Sequence, residues 1–169
     1  TKISLTQPAA GDYEASNFEF NLEVIREATA ESMLYTGGPE NASWNTTTST
    51  YTWNATGWNL LRMFDFAEGE ANKYQAVYFT ISDLSSTDGG SYRIVLQDAN
   101  GEHVASAVDL QGSGTRTFYF NGFGNTDDTW NKKFELREGK SWSDVRGIMI
   151  GGSTGTGSLK LTDVKLINK

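Results

Sequence analysis

The sequence predicts an all-β fold, an antiparallel two-sheet β-sandwich of about ten strands. Three observations lead to this prediction. Apolar and polar residues alternate with a period of two in many short stretches, glycine-rich turns separate those stretches, and no amphipathic helical periodicity extends beyond three turns. Short strands joined by such turns are typical of sandwiches and barrels rather than of β-α-β units.

The clearest strand is predicted over residues 18–24, where apolar residues occupy every even position and polar residues stand between them. One face of this strand is therefore expected to be buried and the other to contact water. Further strands are predicted at 3–5, 59–66, 74–83, 92–97, 103–110, 115–121, 133–136, 145–150 and 159–167.

Turn chemistry fits this pattern. The pair Asn100-Gly101 lies between two β-rich runs and is the strongest hairpin signal, because both residues tolerate the positive φ that tight turns require. Trp142 stands directly before the apolar stretch 145–150. We expect it to anchor that strand in the core rather than to contact a ligand.

Residues 28–59 differ from the rest of the chain. They are rich in Thr, Ser and Asn, and they contain Trp44, Tyr51, Trp53 and Trp58. The plain interpretation is a long surface excursion followed by an edge strand. Because long loops in compact domains are often functional, we expect part of the binding site here.

Composition narrows the class of protein. A chain of 169 residues fits one domain, which we expect to span 1–169 and to come from a longer secreted protein. It has no cysteine, so packing rather than disulfides must stabilise it. The formal charge of −7, with no Lys/Arg stripe, argues against nucleic acid as a partner, and no apolar run is long enough to insert into a membrane.

The stretches WSDVRGIMIGG at 142–152 and GSLKLTDVKLI at 157–167 form an apolar strand pair around a Gly/Ser/Thr turn. They resemble the closing strand pair of jelly-roll carbohydrate-binding modules of the galactose-binding-like superfamily. KYQAVYFTI at 73–81 resembles the mid-domain strand of these modules, and YRIVLQDANG at 92–101 resembles the hairpin that follows it. The resemblance covers residues 59–167.

These modules are appended to bacterial polysaccharide-degrading enzymes. The resemblance therefore implies a non-catalytic domain, secreted or on the bacterial cell surface, and a monomer tethered to an enzyme domain. Several related modules hold a structural calcium ion between the first long strand and the last, and the matching positions here are Glu19 and Asp163. The alternative is that both are ordinary polar positions, and Asp163 has a further interpretation as a β-bulge, because the apolar alternation shifts there.

Aromatic residues are the first candidates for ligand contact, because sugars present C–H faces that stack on rings, and hydroxyls that hydrogen-bond to polar side chains. If the chain is extended over 51–55, Tyr51 and Trp53 share one face at a separation of about 7 Å. Both are candidates, together with Trp58. The alternative for the two tryptophans is burial in the core.

Four further residues complete the predicted site. Trp44 and Trp130 lie among polar residues, where a core role is less natural. Arg62 interrupts an apolar run and either donates to sugar hydroxyls or covers the sheet as an ordinary surface arginine. Gln97 and Asn121 lie at the ends of predicted strands, where their amides can line a cleft.

The favoured ligand is a neutral, plant-type polysaccharide, since an acidic surface disfavours polyuronates. An adhesin or structural spacer domain with the same fold is one alternative. A glycosidase or lyase is the other alternative.

The candidate catalytic residues argue against an enzyme. Glu19 and Glu23 are about 13 Å apart by strand geometry, whereas the two carboxylates of a retaining glycosidase need to be about 5–5.5 Å apart. His103 is the single histidine, and no Gly-x-Ser-x-Gly elbow precedes it.

Overall fold

The computed structural model describes residues 2–7, 16–21, 25–29, 31–35, 42–55, 59–86, 92–110, 112–120, 131–152 and 155–169. These residues form fourteen β-strands and two short 3-10 helices, Glu70–Lys73 and Trp142–Asp144. The strands are β1 (Lys2–Gln7), β2 (Ser16–Asn21), β3 (Arg26–Glu27), β4 (Leu34–Tyr35), β5 (Ala42–Asn45), β6 (Thr50–Ala55), β7 (Asn59–Asp65), β8 (Tyr74–Ser86), β9 (Tyr92–Gln97), β10 (Val108–Leu110), β11 (Gly114–Tyr119), β12 (Asn131–Lys133), β13 (Gly147–Gly152) and β14 (Gly155–Asn168). The predicted all-β class is confirmed.

Two sheets pack against each other as a sandwich, as predicted. The five-stranded sheet has the order β10-β9-β13-β7-β4. The seven-stranded sheet has the order β12-β11-β8-β14-β6-β5, with β3 paired to β14 as its seventh strand. β1 and β2 pair with each other. Among the described strands, every pair is antiparallel except β11 with β12.

The core consists of alternate residues from both sheets. In the seven-stranded sheet Phe79 and Phe118 stack with ring centroids 5.7 Å apart. In the five-stranded sheet Ile94, Leu96 and Ile148 belong to the same buried cluster. The residues between these positions face away from the core, because successive side chains of a strand point to opposite sides.

β14 is the central strand of the seven-stranded sheet. It has 14 residues and pairs with β8 on one side and β6 on the other. Its ladder with β8 shifts register three times, and two of these shifts lie beside Asp83 and Asp163, which have φ values of 50° and 54°. Aspartate tolerates this left-handed conformation because its short side chain can hydrogen-bond locally. The β-bulge interpretation of Asp163 is confirmed.

The predicted turn at Asn100-Gly101 is confirmed, but the strand predicted after it is wrong in part. Gly101 has φ 80°, and the Asp98 carboxylate accepts hydrogen bonds from the backbone N–H groups of Asn100 and Glu102. Only the last three residues of the predicted strand 103–110 pair continuously, as β10. The chain leaves β9 earlier, at Ala105, which forms a bridge to Leu136 instead.

Residues 28–59 contain three strands, β4, β5 and β6, so they are more regular than the predicted excursion. β5 and β6 form a hairpin at the edge of the seven-stranded sheet. Its turn is held by Asn45, whose Oδ1 accepts hydrogen bonds from the backbone N–H groups of Thr47 and Thr48 at 3.0 and 3.1 Å. The predicted edge strand is therefore present.

The prediction for Trp142 is also confirmed. Its side chain is buried in the core cluster, with its ring centroid 5.6 Å from that of Phe120. It lies in the 3-10 helix that leads into β13 and anchors the start of that strand.

Candidate functional site

Tyr51 and Trp53 share one face of β6, as predicted, but that face is the core. Both side chains are 0% exposed, and their ring centroids are 5.5 Å apart. The Tyr51 hydroxyl donates a hydrogen bond to Oδ1 of buried Asn59. A ring with no exposed surface cannot stack on a ligand, so the prediction that these two residues contact a sugar is wrong for this structure.

The position of Trp53 depends on Gly157, its partner on β14. A Cβ atom at residue 157 would lie 2.2 Å from Cζ2 of Trp53, so the indole ring occupies the space that a side chain would need. The indole Nε1 is buried and has no hydrogen-bond partner among the described residues. The ring therefore contributes through packing.

Trp44 lies on the edge strand β5, opposite Tyr51. Its side chain is half-buried and packs against the core cluster from the sheet margin. It keeps some exposed surface, so contact between Trp44 and a ligand stays a prediction. Trp58, Asn121 and Trp130 lie outside the described residues.

Arg62 and Gln97 lie on the same side of the five-stranded sheet, the side away from the core. The strand register places them beside Met149 and Gly147 of β13. Arg62 forms an ion pair with Asp65, as a surface arginine can. Its Nε is buried, has no hydrogen-bond partner among the described residues, and would lie 3.7 Å from a Cβ at Gly147.

The middle of the outer face of the five-stranded sheet is not accessible to a ligand. Val95 and Met149 point away from the core cluster, yet they are 0% and 1% exposed. Arg62 and Gln97 are half-exposed at its margin. A ligand can reach these two side chains but not the apolar residues between them, and their role stays a prediction.

The two predicted calcium ligands lie on strands that do not pair with each other. Glu19 is in β2, which pairs with β1, whereas Asp163 is in β14, which pairs with β8, β6 and β3. Asp163 is exposed and lines a depression of about 240 Å³ together with Glu27 and Lys165. In the described part of the chain no three His, Cys, Asp or Glu side chains form a group that could hold a metal. The calcium site stays a prediction.

His103, the single histidine, lies just after the Asn100-Gly101 turn. Burial lowers its pKa, and the positive charges of Arg137 and Arg93 lower it further. It lies at an isolated bridge opposite Gln97, which holds its backbone in a structured turn.

A pair of accessible aromatic residues, not predicted from the sequence, lies on the outer side of the seven-stranded sheet. Tyr78 lies on β8 opposite Thr117 of β11, and Tyr119 lies two residues further along β11, opposite Ala76. Both tyrosines are half-exposed. Diagonal neighbours of this kind have Cα atoms about 7–8 Å apart.

The two tyrosines form a flat patch because small residues occupy the other diagonal. Ala76 is 0% exposed and Thr117 is 9% exposed, although both are on the outer side of the sheet. We attribute this burial to the larger tyrosine rings beside them, which cover the small side chains.

Polar groups surround the two rings. Thr80 and Thr115 lie opposite each other one step along the strands, with their hydroxyl oxygens 3.3 Å apart. The ammonium group of Lys165 lies 4.5 Å from the centroid of the Tyr78 ring, a favourable cation–π distance. We define the tyrosine face by these outward positions: Ala76, Tyr78, Thr80, Thr115, Thr117, Tyr119, Lys133 and Lys165.

A buried arginine lies behind one end of the tyrosine face. Arg116 is 1% exposed and points into the core between Thr115 and Thr117. Its guanidinium donates hydrogen bonds to the carbonyl oxygens of Gly112 and Thr115, and burial lowers its pKa. Burial also raises the pKa of Tyr92 to about 12, although the charge of Arg116 opposes this shift. These groups support the strand from inside and cannot reach a ligand on the outer side.

The sandwich is similar to several solved structures. It matches an exo-β-agarase with a TM-score of 0.54 and 11% identity, over 86% of this chain and 24% of that chain. It matches CBM86, a low-affinity xylan-binding module from Roseburia intestinalis, with a TM-score of 0.51 and 15% identity. That match covers 86% of this chain and 96% of the module.

These likenesses show a shared fold. The chain spans about a quarter of the agarase and nearly the whole of the xylan-binding module. No protein-family model matches the sequence, and no curated protein matches it. No helix in the described ranges is long and apolar enough to span a membrane.

Proposed function

We propose that this protein is a non-catalytic carbohydrate-binding module that holds a polysaccharide on the tyrosine face. The observation that carries the proposal is the pair Tyr78 and Tyr119, half-exposed on one sheet face and surrounded by hydroxyl side chains. Exposed aromatic groups on rigid strands bind the C–H faces of sugars, and the threonine hydroxyls beside them can hydrogen-bond to sugar hydroxyls.

The shape of the face fits an extended ligand better than a small molecule. Both rings lie along a continuous sheet, so a polymer can lie across β8 and β11 without entering a pocket. Strand-borne side chains are also held in place before binding, which reduces the entropy that ordering a loop would cost. We expect modest affinity, because few groups contact the ligand.

The fold supports the same class of function. A module of this fold, described as xylan-binding, matches nearly along its whole length, and an exo-β-agarase contains a similar sandwich as a part of its chain. By analogy, this domain is tethered to an enzyme in a secreted or cell-surface bacterial protein and acts as a monomer. Arg62, Gln97 and Trp44 stay predicted contacts outside the tyrosine face, and Trp58, Asn121 and Trp130 also stay predicted contacts. The net charge of −7 is the single property that favours a neutral polysaccharide over an acidic one.

The test is native gel electrophoresis in gels that contain xylan, agarose or other polysaccharides. The variant Tyr78→Thr/Tyr119→Thr removes both rings but keeps β-branched residues that suit a strand. We expect each ring to contribute about 1–2 kcal/mol, so the double variant should lose the retardation that the native protein shows. Tyr78→Phe/Tyr119→Phe keeps both rings and should retain it.

The matched control is Arg62→Ala/Gln97→Ala, which alters the opposite sheet face. If this variant loses retardation and the tyrosine variants do not, the ligand binds the five-stranded sheet instead. If no polysaccharide retards the native protein, the proposal fails, and a structural spacer or adhesin becomes the better interpretation.

The non-catalytic part of the proposal has its own measurement. Incubation with each polysaccharide of the panel should release neither new reducing ends nor unsaturated products. Formation of either would identify the domain as a glycosidase or a lyase.

A further inference from the structure

Two lysines flank the two tyrosines of the tyrosine face. In the strand order β12-β11-β8-β14, the register places Lys133 opposite Tyr119 and Lys165 opposite Tyr78. The row across the sheet is therefore lysine, tyrosine, tyrosine, lysine. Three strand spacings separate its ends, which is about 14 Å.

Among the described residues, Lys165 forms no ion pair with a carboxylate, whereas five other cations do. Arg26, Arg62, Arg93, Lys140 and Arg146 all form ion pairs with aspartate or glutamate.

Among the described residues, Lys165 contacts the Tyr78 ring and forms no ion pair. Glu27 lies opposite Lys165 on β3, the side of β14 away from Tyr78. Asp163 lies two residues before Lys165 and lines the same depression as Glu27. Neither carboxylate lies between the lysine and the tyrosines in the strand order.

We propose that the polysaccharide bound on the tyrosine face carries oxyanion groups, either sulfate esters or carboxylates. This inference rests on the proposed function and names its ligand class. A sugar held at Tyr78 and Tyr119 meets the Lys165 ammonium, which lies over the Tyr78 ring, and the register places Lys133 beside Tyr119. Charge-assisted hydrogen bonds from lysine to such oxygens are stronger than those between neutral groups.

The net charge of −7 favours a neutral ligand only at long range. At physiological ionic strength the Debye length is about 8 Å, so carboxylates further than this from the tyrosine face are largely screened from a ligand on it. Lysines in direct contact with the ligand are screened much less. The charges that contact the ligand directly therefore decide whether the tyrosine face prefers a charged or a neutral polysaccharide.

The test uses three polymers with one β-linked glucan backbone, namely neutral hydroxyethylcellulose, carboxymethylcellulose and cellulose sulfate. We expect retardation of the native protein to be stronger with a charged polymer than with the neutral one, and to decrease as salt is raised. The two charged polymers distinguish carboxylate from sulfate, and preference for either one supports the inference.

Lysine-to-glutamine variants show which side chains cause the stronger binding of charged polymers. Lys165→Gln and Lys133→Gln should each weaken binding of the charged polymer about two- to fivefold, and the double variant about tenfold, with no change for a neutral polymer. Lys73→Gln changes the net charge equally at an exposed lysine of the 3-10 helix and should have no effect.

Equal binding of neutral and charged polymers would overturn the inference, as would retardation by a neutral polysaccharide of the wider panel without retardation by the charged ones. Both outcomes would leave the proposed function standing. If no polymer of either panel is bound, the proposed function itself fails.

Discussion

At the scale of single residues, Gly157 packs directly against the indole ring of Trp53. A Cβ at residue 157 would lie 2.2 Å from the indole and 2.7 Å from the carbonyl oxygen of Ser85. We therefore expect Gly157→Ala to lower the free energy of unfolding by about 2–3 kcal/mol, because one of these groups must move. Urea unfolding followed by circular dichroism measures this, and Ser158→Ala, on the opposite side of the strand, should change it by less than about 0.5 kcal/mol.

The unpartnered indole Nε1 of Trp53 leads to a second residue-scale prediction. Trp53→Ala should cost about 3–5 kcal/mol of unfolding free energy, because it leaves a large cavity. Trp53→Phe should cost much less, since phenylalanine keeps most of the packing and removes a buried N–H that bonds to nothing in the described core. Equal losses in the two variants, measured by the same urea unfolding, would mean that the N–H group is bonded after all.

Residue identity alone could not separate core from surface aromatics. Tyr51 and Tyr78 each lie in an alternating strand, and the sequence analysis selected the first because its neighbours are polar. The neighbours of Tyr78 along the chain, Val77 and Phe79, are core residues, so Tyr78 itself must face outward. That signal was present in the sequence, but the proximity of Tyr119 depends on the register of β8 and β11, which no local pattern encodes.

At the scale of elements, the turn after β9 is fixed by one charged group. The Lys140 ammonium donates hydrogen bonds to Asp98 and Glu102, each at 2.8 Å, and connects this turn to the segment before the second 3-10 helix. Its hydrogen bond to Asp98 lowers the pKa of that carboxyl, and the backbone N–H groups of Asn100 and Glu102 lower it further.

The lowered pKa gives the turn a pH dependence. A carboxyl with a lower pKa in the folded state stabilises the fold above its unfolded pKa of about 3.9, and this contribution is lost as the pH falls through the folded value. Asp98→Asn keeps the side-chain oxygen but removes the charge. We expect it to lower the melting temperature at pH 7 and to have little effect at pH 2.

Melting temperatures of Asp98→Asn and the native protein between pH 2 and pH 7 check this expectation. Glu138→Gln is a matched control, since it removes one exposed carboxylate from the same loop region. A difference between Asp98→Asn and the native protein that is the same at both ends of the range would exclude the Lys140 interaction as its cause.

Strands whose partners are near in sequence or whose pattern is regular were predictable, and those defined by distant partners were not. The strand at 92–97 has the predicted bounds because its apolar residues end directly before the turn at Asn100-Gly101. The predicted strand 103–110 breaks at Ala105, whose bridge to Leu136 is a contact between distant parts of the chain. Whether such distant residues meet, and in which register, depends on the whole fold.

At the scale of the whole molecule, binding on a preformed sheet should stabilise the fold by mass action. A ligand at about 100 times its Kd adds about 2.7 kcal/mol, which raises the melting temperature of a domain of this size by roughly 5–10 °C. Differential scanning calorimetry with an oligosaccharide of the best-bound polymer measures this shift. Tyr78→Thr/Tyr119→Thr at the same oligosaccharide concentration should show almost none.

The position of β14 between β8 and β6 has a consequence for biosynthesis. β6 and β8 are made first, and in the finished sheet neither pairs directly with the other. Until the ribosome has released the residues of β14, each presents an edge of unsatisfied N–H and C=O groups that can pair with a second nascent chain. Folding of this sheet is therefore completed only after translation of its last strand, and a chain shortened before Gly155 should accumulate in inclusion bodies.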